Sequence, residues 1–241
     1  MSVNVRSRFY PHAAIALAAI IVIAFTRTYY LRYLSDLPPL SALMQVHGLV
    51  FTAWLGLFVA QTQLIAARRV DLHMKLGIAA VFLAMAIVAI GLATVAATAA
   101  TPRIRASGLT PAQASIIALT SITAFAVLVT LGITFRRRAS LHKRFMLLAM
   151  IAVLGPATAR IVNLIGGVGK HGMLVQMIVI GVFTAGCLIH DWRRHRVVHP
   201  IFAAGGAVLI LLWPMRFAVA RSEWWQPVGQ WIAEAGQMLI S

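Results

Sequence analysis

Carboxylates are scarce in this chain of 241 residues: five Asp and Glu stand against 21 Lys and Arg, a formal charge of +16. The apolar segments hold no plausible carboxylate pair, so hydrolytic acid–base chemistry loses a usual support. Cysteine is reduced to Cys187 alone, inside an apolar run, which excludes an internal disulfide and a thiol-pair redox motif. Gly-rich phosphate loops, metalloprotease signatures and nucleophile elbows are missing as well, and with them the supports for a nucleotide-driven machine. Aromatic residues do not interleave with the basic clusters, so the positive charge does not describe a nucleic-acid groove. Charge of any sign is sparse, at 11% of residues, whereas 61% are hydrophobic. A soluble domain has no use for that much apolar surface.

What is present is a series of apolar runs, each of the length that crosses a hydrocarbon core. The expected fold is all-α: a polytopic transmembrane helical bundle of seven spans. They are Ala13–Tyr30, Ser41–Ala67, Leu72–Thr98, Pro111–Phe135, Leu141–Ile165, Gly172–Ile189 and Pro200–Ala220. Turn chemistry marks the breaks at Pro38-Pro39, Thr101-Pro102 and Gly166-Gly167. Arg6 and Arg8 precede the first run in the manner of a signal peptide. Thr26-Arg27-Thr28-Tyr29-Tyr30 offers no small-residue cleavage site, so an uncleaved first helix is expected. Residues 1–221 form the expected transmembrane domain. Residues 222–241, with Trp224, Trp225, Trp231, Met238 and Leu239, are expected to form an interfacial amphipathic helix lying on the outer surface.

Two turns nearly repeat one another: Arg68-Arg69-Val70-Asp71-Leu72-His73-Met74-Lys75 and Arg137-Arg138-Ala139-Ser140-Leu141-His142-Lys143-Arg144. A fainter third copy sets Arg194 five residues before His199, as Arg68 precedes His73. The spans thus read as one helix followed by three parallel hairpin repeats. Asp71 and Ser140 are the expected N-caps, which sets His73 and His142 in the first turns of their helices. These basic turns, with Arg6 and Arg8, gather 13 of the 21 Lys and Arg on one side. The positive-inside rule makes that side cytoplasmic, with the N-terminus in and the C-terminus out. Anionic headgroups of the bilayer are the partners such clusters fit.

The repeated histidines are the first candidate site. A helix N-terminus disfavours imidazolium, and neutral imidazole ligates metals and haem iron. His73 and His142, with His199 as a possible third, are candidate axial ligands of a b-type haem, and flanking Arg and Lys suit its propionates. The alternative is that these residues are headgroup-level anchors. The second constellation is His47 near one end of span two and Arg160 near the matching end of span five, with Asn163 one turn on. Both lie roughly 8–10 Å inside the boundary at about 1.5 Å per residue. No acid lies near Arg160 in sequence, so an anionic ligand, a propionate or a quinone carbonyl fits beside it; otherwise it snorkels to headgroups. Gln61, Gln63, Thr120, Ser121 and Thr123 are expected interhelical hydrogen-bond partners, and Trp54 and the methionines packing residues. His12, His171, His190 and His195 are expected at interfaces. A lysine in the last span, which a retinal protein needs, is missing.

Val70-Asp71-Leu72-His73-Met74-Lys75-Leu76-Gly77, His142-Lys143-Arg144-Phe145-Met146-Leu147 and His47-Gly48 together resemble a group of bacterial multispan membrane proteins of unassigned function. The second phrase is also similar to small membrane proteins linked to cytochrome oxidase assembly. The resemblance implies a bacterial inner-membrane protein near respiratory haem or copper chemistry, and it assigns no activity. Three functions are therefore expected in competition. The first is a haem-binding electron-transfer protein acting with quinone. The second is a permease for a small anionic or amphiphilic solute, bound by Arg160, His47 and Asn163. The third is an accessory subunit of a respiratory complex. Whether the chain is an enzyme stays open.

Overall fold

A computed structural model describes residues 8–102, 108–164 and 172–240. Every regular element among them is helical. The helices are α1 (Phe9–Phe25), α2 (Ala42–Ala66), α3 (Val70–Ala99), α4 (Pro111–Thr134), α5 (Ala139–Ala152), α6 (Gly155–Leu164), α7 (Gly172–His195), α8 (Pro200–Arg221) and α9 (Trp225–Ile240). Counting α5 and α6 as one segment, and α1 with its π-helical extension to Tyr30, seven are long and apolar enough to cross a membrane. The chain is an all-α, multi-pass membrane protein. The expected turn at Gly166-Gly167, His171 and Arg6 lie outside the described residues.

Helix ends follow local chemistry. Thr110 and Gln113 form a reciprocal capping box at α4, with Pro111 at the first helical position. The Ser41 hydroxyl accepts the Met44 N–H at α2. α2 ends in a Schellman motif: Arg69 N–H reaches the Leu64 carbonyl (2.8 Å) and Arg68 N–H that of Ile65 (3.2 Å). Arg68 accordingly sits in the left-handed region at φ 64°, and Arg196 repeats this after α7 at φ 56°. Asp71 and Ser140 are not the caps the sequence suggests. Both helices begin earlier, at Val70 and Ala139, so these residues fall inside the first turn. Asp71 instead faces Arg69 (3.6 Å), and the Ser140 hydroxyl accepts from Arg144.

The fifth span is not continuous. α5 stops at Ala152 and α6 starts at Gly155, because Pro156 has no N–H for the Ala152 carbonyl. Leu154 N–H closes the stump of α5 on the Ile151 carbonyl (3.2 Å).

The chain divides into two compact units, Met1–Ile87 and Val88–Ser241. In the first, α1 packs on α2. The Tyr29 ring lies so close to Gly48 that any Cβ there would clash with it. Tyr29 Oη donates to the Gln45 carbonyl (3.1 Å), and Tyr30 Oη pairs with Thr52 Oγ1 (2.9 Å). Trp54 is buried, as a packing residue should be.

The second unit is built around α5, whose residues Leu147 to Ala152 are buried without a break. A helix apolar all round belongs in the middle. α4 packs along it, and Gly132 and Gly205 admit Met146 and Leu148 respectively. α9 is more than a helix resting on lipid. Trp225, Gly229 and Gly236 share one face, and the two glycines press on the Ala112 and Ala96 carbonyls, leaving no room for a Cβ. Its other side exposes Trp231, Met238 and Leu239, and Trp224 just before it is exposed as well.

Candidate functional site

The histidines of the repeated turns occupy three different settings. His73 lies in the first turn of α3, half-buried. His142 lies in the first turn of α5, and its Nδ1 donates to the Gly132 carbonyl (2.8 Å), which directs the Nε2 lone pair outward from that bond. His199 is the N-cap of α8: its Nδ1 accepts the Ile201 N–H (3.3 Å), so the ring is neutral and protonated on Nε2. Burial first, then the neighbouring Arg144, holds His199 below the usual histidine range. His142 and His199 stand at the same end of the second unit, where the basic turns are. His47 and His73 belong to the first unit and begin successive antiparallel helices, so nineteen residues of α2, about 29 Å, follow His47 before the turn.

His47 stacks on Phe51 (centroids 4.4 Å apart). Arg160 is half-buried and its Nη1 donates to the Pro156 carbonyl (3.0 Å), one turn back on its own helix; Asn163 is exposed. Among the described residues no three His, Cys, Asp or Glu side chains converge on a metal-sized site. The Thr120 and Ser121 hydroxyls donate to the Ile116 and Ile117 carbonyls of their own helix instead of crossing to another.

Two constellations escape a sequence reading. At the basic end of the second unit, Arg144 grips Asp191 across α5 and α7. Nε and Nη2 donate to the two carboxylate oxygens at 3.0 and 2.6 Å, and Nη1 donates to the Ser140 carbonyl and hydroxyl, both at 2.7 Å. Both side chains are almost wholly buried, with the guanidinium 5.5 Å from the Phe202 ring centroid. Arg144 looks in sequence like one more cytoplasmic anchor. The available signal was Asp191, a lone acid at the end of an apolar run and two residues before a basic cluster.

The other constellation lies toward the opposite end, where the break between α5 and α6 meets the proline-containing α8. The Trp213 indole packs on Gly155, so close that a Cβ there would touch its Cζ2 at 3.0 Å. Trp213 precedes Pro214, whose ring takes from the Ile210 carbonyl its helical donor. Gln176 of α7 donates through Nε2 to the Gly155 carbonyl (2.7 Å), tying α7 to the first residue of α6. One turn beyond Trp213, Arg216 lays its guanidinium over the indole, 4.9 Å from the centroid, and is only 3% exposed. Among the described residues no carboxylate pairs with Arg216 and its Nε has no acceptor. Trp213 Nε1 and Gln176 Oε1 are buried and unpartnered in the same sense. Gly155-Pro156 and Trp213-Pro214 were the signals available: prolines at matching depth in two apolar spans.

Comparisons with family models, curated proteins and solved structures give no match to this chain.

Proposed function

We propose that the protein is a permease of the bacterial inner membrane that binds a small anionic solute at Arg216, N-terminus cytoplasmic and C-terminus periplasmic. Arg216 carries the reading. A buried cation inside a membrane span is costly unless a negative group joins it, and such residues mark solute pathways. Its setting beside the broken α5–α6 segment supports the same reading, because a discontinuous helix near a solute is a recurring feature of transporters. With the basic turns facing the cytoplasm, as the positive-inside rule favours, Arg216 lies in the outer half, about 7 Å from the end of α8. Of Arg160, His47 and Asn163, which the sequence suggests for this role, Arg160 and Asn163 are more exposed than Arg216, Arg160 already donates to a carbonyl of its own helix, and His47 stacks on Phe51.

The test is thermal unfolding of the purified full chain with chloride, acetate or phosphate, beside Arg216→Gln. Anion-dependent stabilisation should appear in the wild type and vanish in the variant. Without anion the variant should melt no lower than the wild type, since it has lost an uncompensated buried charge. A wild type indifferent to all three anions ends the proposal.

A haem-binding, quinone-linked reading draws on His142. A ligating histidine commonly donates its other ring N–H to a carbonyl, as His142 does to Gly132. His199 fits this role less well, because its Nδ1 lone pair already caps α8. A Soret band in purified protein supplemented with haem, lost in His142→Ala, is its expected signature.

A further inference from the structure

We infer that the solute is a small 2-hydroxy monocarboxylate, held by the orphaned polar atoms where Trp213 packs on Gly155; this rests on the anion-binding reading above. Three buried atoms define the chemistry. Arg216 Nε and Trp213 Nε1 are donors without acceptors among the described residues, and a carboxylate supplies two oxygens to receive them. Gln176 Oε1 is an acceptor without a donor. Its orientation is fixed, because Nε2 of the same amide is committed to the Gly155 carbonyl. An acceptor beside a bare anion is repulsive, so the ligand must bring an O–H or N–H of its own.

Charge selects within this class. One guanidinium balances one carboxylate; a zwitterionic amino acid leaves the buried site with a net positive charge, and a phosphate dianion leaves it negative. A hydroxyl on the carbon next to the carboxylate satisfies the acceptor at no cost in charge. Chain contacts link the groups: Gln176 and Trp213 both meet Gly155, and Arg216 covers the Trp213 ring.

The experiment compares L- and D-lactate with propionate and alanine by calorimetric titration of the purified full chain in nanodiscs, using wild type, Gln176→Met and Arg216→Gln. At least one lactate enantiomer should bind about fivefold or more tightly than propionate, the worth of one hydrogen bond. That margin should close in Gln176→Met, and alanine should bind more weakly than lactate. Lactate and propionate binding equally in the wild type, with both lost in Arg216→Gln, would overturn the hydroxy-acid assignment while sparing the anion site. Binding by no anion would end both, leaving internal water to satisfy the orphaned atoms, as would lactate binding unaffected by Arg216→Gln. If Gln176→Met fails to fold, the wild-type ratio of lactate to propionate still decides.

Discussion

Replacing Asp191 with alanine strands the Arg144 guanidinium, buried at the basic end of the second unit. The wild-type pair is two-pronged, with contacts of 3.0 and 2.6 Å, and neither side chain is more than 3% exposed. Water cannot reach Arg144 to replace the carboxylate, and Ser140 satisfies only Nη1. Removing one partner of such a pair costs about 3–5 kcal/mol, whereas replacing both with apolar residues of similar volume is often neutral. Asp191→Ala should therefore lower the unfolding free energy by about that amount, a factor of roughly 10² to 10³ or more in the unfolding constant. Arg144→Met combined with Asp191→Leu should return to within about 1 kcal/mol of wild type. The surface pair Arg69–Asp71 supplies the contrast: both side chains are more than half exposed, so Asp71→Ala should shift stability by about 0.5 kcal/mol or less. Reversible unfolding in mixed micelles, followed by circular dichroism, measures all four proteins. An Asp191→Ala loss no larger than that of Asp71→Ala would refute the argument that burial makes this pair indispensable as a pair.

Arg68→Gly should stabilise the protein by about 0.5–1 kcal/mol, since glycine adopts φ 64° without the Cβ penalty that arginine bears; the same unfolding assay checks it. Gly236→Val should detach α9 locally, because its side chain would overlap the Ala96 carbonyl, at a cost of about 1–3 kcal/mol. Faster proteolysis between Ser222 and Ile240 is the readout. His199 is held below the ordinary value of 6.5 by burial and by Arg144. Its neutral form is thus favoured in the fold, and its contribution is present above about pH 6.5 and fades as the pH falls from there toward its folded value. His199→Asn keeps a capping acceptor without that titration, so its melting temperature should vary less than wild type between about pH 6.5 and 5.

Length and hydropathy were enough to place the seven spans, because membrane crossing depends on a running average that single residues hardly disturb. The interruption at Gly155-Pro156 is invisible to that average although the proline itself is plain in the sequence. Arg144 and Arg216 show the harder problem. One sits in a basic turn and reads as an anchor; the other sits in an apolar span with a tryptophan one turn away. Only the packing of α5, α7 and α8 separates a cation that has an acid from one that lacks it. The histidine repeat was legible as sequence, yet its members differ in what each ring nitrogen does, since tautomer and partner are set by the neighbouring turn and not by the motif. The tail's amphipathic pattern was legible too, but glycine carries no hydrophobic signal, so the face that docks through Gly229 and Gly236 could not be anticipated.

Because α9 is seated by backbone against backbone, truncation reporters for sidedness carry a hidden hazard. A fusion joined anywhere between Ser222 and Ile240 removes part of the wedge that closes over the ends of α3 and α4, and would report on a damaged molecule. Markers appended after Ser241, or single-site labelling at exposed Trp224 or Trp231 replaced by cysteine in a Cys187→Ala background, leave that seam intact.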